Sequence, residues 1–166
     1  MIVVEERLND VFSQLPEIDG FKPVFDWGNQ YNLMAVLKSY ADAKESPYPL
    51  IYQDITESEE NQFSRGDGEV ELNLKLIIAC SNPATELLNK NRWAMSYRNV
   101  LFPVVENIEK CFYKAGIFTW TGEYGLKKHP NYGNGEENFT TDIWDALVLR
   151  VSNMKIDTNC IQQINF

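Results

Sequence analysis

Basic residues are scarce in this chain. Fifteen lysines and arginines stand against 24 aspartates and glutamates, for a net charge of −9 over 166 residues. Phosphate neutralisation supplies most of the affinity of a duplex-binding module, so this balance argues against sequence-specific DNA binding. Anionic membrane surfaces are disfavoured for the same reason. Histidine is rarer still, with His129 the single example. A His-dependent nucleophilic triad needs an oriented carboxylate and a nearby hydroxyl or thiol, and nothing around His129 suggests one. The three cysteines, Cys80, Cys111 and Cys160, are odd in number and far apart. No Cys-x-x-Cys pair exists, which removes the usual zinc and thioredoxin signatures. The cysteines read instead as buried thiols of a chain that folds in a reducing cytoplasm.

Other absences narrow the function further. No Gly-x-x-x-x-Gly-Lys-Ser/Thr loop is present, and no Gly-x-Gly-x-x-Gly follows a strand. Gly133-Asn134-Gly135 is a turn signal only. The acidic residues Glu57, Glu59, Glu60, Asp67, Glu69 and Glu71 lack the spacing of an EF-hand loop. No cofactor and no metal site is therefore expected. No apolar run approaches the roughly 20 residues of a membrane span. The opening Met1-Ile2-Val3-Val4-Glu5-Glu6 lacks the basic start of a secretory signal. Arg65-Gly66-Asp67 matches an integrin-recognition tripeptide, but without a secretory signal it reads as a chance match in a turn.

What is present is a strong β pattern. From Val70 to Leu76 apolar and polar residues alternate without an error. Only a long strand with one buried face reads that way. Residues 49–55 form a second strand candidate, and residues 57–68 between them are acidic and contain glycine, so the pair predicts a long hairpin with a polar tip. Val70, Leu72, Leu74 and Leu76 are expected to point into the core. The late stretch 143–156 places Leu147, Leu149 and Val151 on one face and Trp144, Ala146 and Val148 on the other. Two apolar faces predict a central strand covered on both sides.

Helical spacing appears at residues 3–15, stopped by Pro16, and throughout residues 86–115, where Pro103 must kink or restart the helix. Thr85 is a plausible cap for that long helix, and Gly116 suits its end. Residues 31–41 are ambiguous, with poor caps. Phe21, Phe25 and Trp27 predict a short strand that Pro23 pushes to an edge, and residues 117–121 predict another strand. Residues 122–138 hold four glycines and Pro130, and predict a long loop with His129 solvated in it, which with the 57–68 hairpin tip is an expected interaction element. The whole chain, residues 1–166, reads as one α+β domain: a mainly antiparallel sheet with helices packed on one face. With 44% hydrophobic residues it has enough for a packed core.

One set of elements resembles a known family. Tyr48-Pro49-Leu50-Ile51-Tyr52, the acidic hairpin, the alternating strand, Asn91-Arg92-Trp93, Val100-Leu101-Phe102-Pro103-Val104 and Asp142-Ile143-Trp144-Asp145-Ala146-Leu147 occur in that order. This succession resembles the tail terminator and neck proteins of tailed bacteriophages, also called tail completion or head-tail connector proteins. The resemblance implies a structural virion subunit, made in the host bacterial cytoplasm, that forms a homo-oligomeric ring, six-fold or twelve-fold. Its expected partners are copies of itself and neighbouring neck, portal or tail-tube proteins, with DNA passing non-specifically through the bore and no membrane. An acidic bore would let DNA slide. The family offers no catalytic residues to carry over.

The expected interface residues are Glu57, Glu59, Glu60, Arg65 and Asp67 of the hairpin tip, with Trp27 and Trp120 at strand ends; core packing is the alternative role for both tryptophans. Two other readings stay open. One is a small acidic enzyme assembled from scattered residues such as His129, Tyr124 and Asp142. The other is an adaptor that binds one partner as a monomer or dimer.

Overall fold

The computed structural model describes residues 2–43, 46–62, 68–81, 90–132 and 144–166. Among these the elements run α1 (Val4–Phe12), β1 (Val24–Gly28), α2 (Gln30–Ala43), β2 (Leu50–Asp54), β3 (Glu59–Gln62), β4 (Glu69–Ser81), α3 (Lys90–Trp93), a π-helical stretch (Ala94–Leu101), α4 (Phe102–Lys114), β5 (Phe118–Thr119), β6 (Tyr124–Tyr132) and β7 (Trp144–Asp157). The class is α+β, as the patterning predicts.

The two longest strands, β4 and β7, pair antiparallel and form the spine of a seven-stranded mixed sheet. Beside β4 lie β2 and β3; beside β7 lie β6 and β5. Outermost is β1, which pairs with β2 in parallel, the one parallel pair among the described strands. At one end the sheet therefore reads β1-β2-β4-β7-β6 across its width. The strict alternation of β4 holds: Leu74 pairs with Val151, Leu76 with Leu149 and Ile78 with Leu147, and all six enter the main core. A bulge interrupts the ladder where Ser152 and Asn153 oppose Asn73. Asn153 takes φ +55° there, and its amide donates to Asn73 Oδ1 at 3.0 Å.

Both sheet faces are covered, which makes β7 the expected central strand. On one face α1 and the long helix bury Leu8, Phe12, Leu101, Ile108 and Phe112 against the even positions of β4. On the other, Leu33 and Leu37 of α2 pack with Tyr52, Ile77, Trp144 and Ala146. Helices thus lie on two faces, not the single face expected, because α2 closes the second one. Its start is capped after all: Asn32 N–H donates to Asn29 Oδ1 (3.0 Å) and Asn29 N–H to Asn32 Oδ1 (3.3 Å). Gly28, at φ +147°, lets this turn close, since a Cβ there would meet Tyr52 Oη at 2.7 Å.

The helix over residues 90–114 passes Pro103 without breaking. Proline removes one amide and crowds the preceding turn of an α-helix. The chain answers by widening: Phe102 N–H reaches back five residues to Tyr97 O, and Pro103 then falls in the first turn of α4, where no intrahelical amide is required. Gly116, at φ +76°, follows the helix end as expected. The candidate cap Thr85 lies outside the described residues.

Two loop expectations change. Residues 124–132 form β6, paired with β7 from Tyr124 opposite Val151 to Tyr132 opposite Trp144. Its glycine, lysines and Pro130 read as loop because an edge strand pairs on one side only and keeps most side chains in water. The tip expected at residues 57–68 is shorter: Glu59–Gln62 form β3 and continue the hairpin ladder along β4. Four exposed polar residues carry no period to detect. The cysteines divide as well, with Cys80 and Cys111 buried but Cys160 exposed.

Candidate interaction surfaces

Odd positions of β4 and the even positions of β7 before its bulge share the face that α2 partly covers. Beyond α2 this face opens into a groove of about 480 Å³, lined by Lys75, Lys127, His129, Tyr132, Val148 and Arg150. Lys75 sits where β2 gives way to β3. Its Nζ donates to Asp54 Oδ2 (2.9 Å) and Glu57 Oε1 (2.6 Å), and its amide donates to Ser58 Oγ (3.1 Å). Arg150, directly across the sheet from Lys75, donates to the second Glu57 oxygen at 2.6 Å. Glu57 is thus a bridge between two cations, not part of a free tip.

The electrostatics follow from these contacts. Burial raises the Asp54 carboxyl, but hydrogen bonds from Thr56 and Lys75 outweigh it and leave the group below its ordinary 3.8. Hydrogen bonds from Lys75 and then Arg150 pull Glu57 below its ordinary 4.5. Burial lowers Lys75, yet its bonds to Glu57 and Asp54 win and raise it above 10.5. Depressed carboxyls contribute stability above their unfolded pKa and lose it as pH falls through the folded one. A raised lysine contributes below its unfolded pKa and loses the contribution as pH rises through the folded one. Stability from this network is therefore expected to be level between about pH 4.5 and 10.5 and to fall on either side. Urea midpoints against pH check this; Lys75→Met is expected to lower the plateau and flatten the acid limb. Half-exposed Glu57 contributes the smaller share because water screens it.

His129 faces the groove. Burial, then the nearby Lys127 and Lys75, hold its pKa below 6.5, so the imidazole is neutral at pH 7. Tyr124 lies on the opposite face of the same strand, as its pairing with Val151 requires, whereas His129 pairs with Ala146. A hydrogen bond to Glu109, then burial, push Tyr124 up to about 12. The two described members of the scattered enzyme site are therefore not brought together, and Asp142 lies outside the described residues. Among the described residues no group of three or more His, Cys, Asp or Glu is placed to hold a metal ion, and no helix is long and apolar enough to cross a membrane.

A second polar cluster is sealed inside the core. Asp145 is fully buried and accepts two hydrogen bonds from Arg92, Nε to Oδ2 at 3.1 Å and the terminal nitrogen to Oδ1 at 2.5 Å. This fork joins the start of the long helix to β7. Burial raises the neighbouring Cys80 thiol to about 11. Burial therefore disfavours the thiolate, which is the nucleophilic form of a cysteine.

The expected interface residues distribute as follows. Glu59 and Glu60 lie exposed on β3. Burial, then Glu5, raise Glu60 above its ordinary value. Arg65 and Asp67 lie outside the described residues. Trp120 packs against Phe112, Tyr113 and Tyr124, with centroids 5.4, 5.3 and 6.0 Å away, so it is half-buried inside its own subunit. Trp27 is different: it stands on β1 at the sheet edge, 39% exposed. The opposite edge, β6, exposes Tyr124 and Leu126, at 39% and 37%. Phe21, just before β1, is 55% exposed. Sequence reading marks residues 122–138 as an interaction element but as a loop, so it does not single out Tyr124 and Leu126 on an edge strand. No family model matches the chain, and no curated protein matches it.

Proposed function

We propose that this chain is a structural subunit of the phage neck or tail end. It forms a closed ring by head-to-tail contacts, joins tail to head and lets DNA pass. The observation that carries the reading is the pair of edges, β1 and β6, on opposite sides of one sheet, beyond which no described strand lies. Each edge exposes large apolar side chains: Phe21 and Trp27 on one, Tyr124 and Leu126 on the other. A symmetric dimer needs one self-complementary patch, whereas a ring needs two different patches on opposite sides of the subunit. The sealed polar cluster and the separation of His129 from Tyr124 support a structural role over a catalytic one. The acidic surface is compatible with a bore that does not retain DNA.

The test is the mass of the purified chain in solution across a concentration series, followed by imaging of the oligomer and of virions labelled on this protein. Annular particles and a label at the neck or tail end are expected. A two-fold dimer as the only assembled form, or a label away from the tail axis, overturns the reading. Assembly is expected to strengthen as salt rises to about 0.15 M, where screening falls within about 8 Å. Whole-subunit repulsion acts beyond that distance and contact pairs act inside it.

A further inference from the structure

The geometry points to the ring contact itself: β6 of one copy adds as a strand to β1 of the next, extending the sheet from subunit to subunit. The inference rests on the ring reading above and names the surfaces that carry it.

Strand direction comes first. Successive antiparallel pairings β2-β4, β4-β7 and β7-β6, with β1 parallel to β2, make β1 and β6 run in opposite directions. A neighbour placed beside β6 by a rotation that keeps strand direction and sheet face therefore presents β1 antiparallel.

Hydrogen-bond phase comes second. Val24 N–H donates to Pro49 O (2.9 Å) and Ile55 N–H to Gly28 O (3.2 Å), so Val24, Asp26 and Gly28 turn their backbone groups toward β2. Phe25 and Trp27 then turn theirs to the open edge, because the period of a strand is two. Carried across β2, β4 and β7 by the registers, the same alternation turns Leu126 and Lys128 outward from β7. Both edges turn backbone groups outward in matching phase, and no described strand pairs with them.

Side chains then select one register. With Asp26 opposite Lys127, a carboxylate meets an ammonium on the groove face. On the helix face Trp27 meets Leu126, and Phe25 meets Lys128. The ladder runs from Val24 opposite His129 to Gly28 opposite Gly125, and its next rung would place Pro23 opposite Pro130. Both edges thus lose their amide donor at the same rung, so the ladder ends there on both sides. Today Trp27 N–H, one of the outward amides, is held by Asp26 Oδ1 at 2.8 Å. The carboxylate that occupies the edge is the one Lys127 would draw away. Lysines and proline on an edge strand ordinarily discourage pairing. Here they discourage β6 from meeting β6, since Lys127 and Lys128 repel their own copies, and they leave the β1 edge with Asp26 as the permitted partner. The occupant is a second copy of this chain.

Asp26→Cys with Lys127→Cys, in a Cys160→Ser background that removes the exposed native thiol, tests the register. This rung is a non-hydrogen-bonded pair with Cα atoms about 4.5 Å apart, within disulfide range. Mild oxidation is expected to give a covalent ladder that stops at the ring size. Trp27→Cys with Lys127→Cys, whose side chains lie on opposite faces, is expected to give none. Asp26→Lys alone and Lys127→Asp alone are each expected to weaken each contact about tenfold, by turning an opposite-charge cross-strand pair into a like-charge one. The double charge swap is expected to restore assembly. Melting like the parent shows that the variants fold. If the parent forms rings but no ladder appears, or the swap rescues nothing, the strand-addition contact is overturned and the ring reading stands. If the parent stays monomeric up to its solubility limit and on tail ends, the ring reading falls and this contact with it.

Discussion

Replacing Asp145 with alanine is expected to destabilise the protein by about 3–5 kcal/mol, the usual cost of removing one partner of a buried ion pair. The substitution takes away the fully buried carboxylate that Arg92 holds with two hydrogen bonds, and Arg92 itself is only 6% exposed. Nearby, the Tyr97 hydroxyl is buried with no hydrogen-bond partner among the described residues. The measurement is a urea midpoint, read with an unchanged slope as evidence that the native and unfolded states keep their compactness. The double variant Arg92→Met with Asp145→Leu is expected to recover part of the loss, because two apolar side chains need no solvation. A single variant with a parental midpoint would show that the fork contributes nothing to stability.

Leu74→Ala is expected to cost about 2–5 kcal/mol, through lost transfer energy and a cavity that the rigid β4-β7 pair cannot close. Leu74 is 2% exposed, pairs with Val151, and sits beside the bulge at Asn73. For a chain of this size the loss corresponds to a fall of about 4–20 °C in Tm. Leu74→Met keeps the volume and is expected to cost less than about 1.5 kcal/mol. Glu71→Ala, on the opposite face of the same strand and half-buried, is expected to shift the melt little. A Leu74→Ala protein that melts like its parent would remove this residue from the core.

The alternation of β4 and the doubled apolar faces of β7 were legible in the chain because a buried face must repeat with the period of its backbone, whatever lies around it. The long helix was legible for the same reason, and Pro103 announced a disturbance although not its form. The charge balance, the lone histidine and the missing nucleotide loops also belonged to the sequence by itself. The edge at β1 was legible through Pro23, but β3 and β6 were not. β3 and β6 exist because β4 and β7 offer them a ladder, and most of their own described side chains, from Glu59–Gln62 and from Tyr124–Tyr132, face water and carry no period. The same holds for Glu57, which reads as one acid in an acidic run until Lys75 and Arg150 arrive from two other strands. Trp27 could be named as a surface candidate from its position at a strand end. That it stands across the sheet from Leu126 and Lys127 was decided by strand order alone, since pairing between distant segments is a property of the packed sheet and leaves no mark in local spacing.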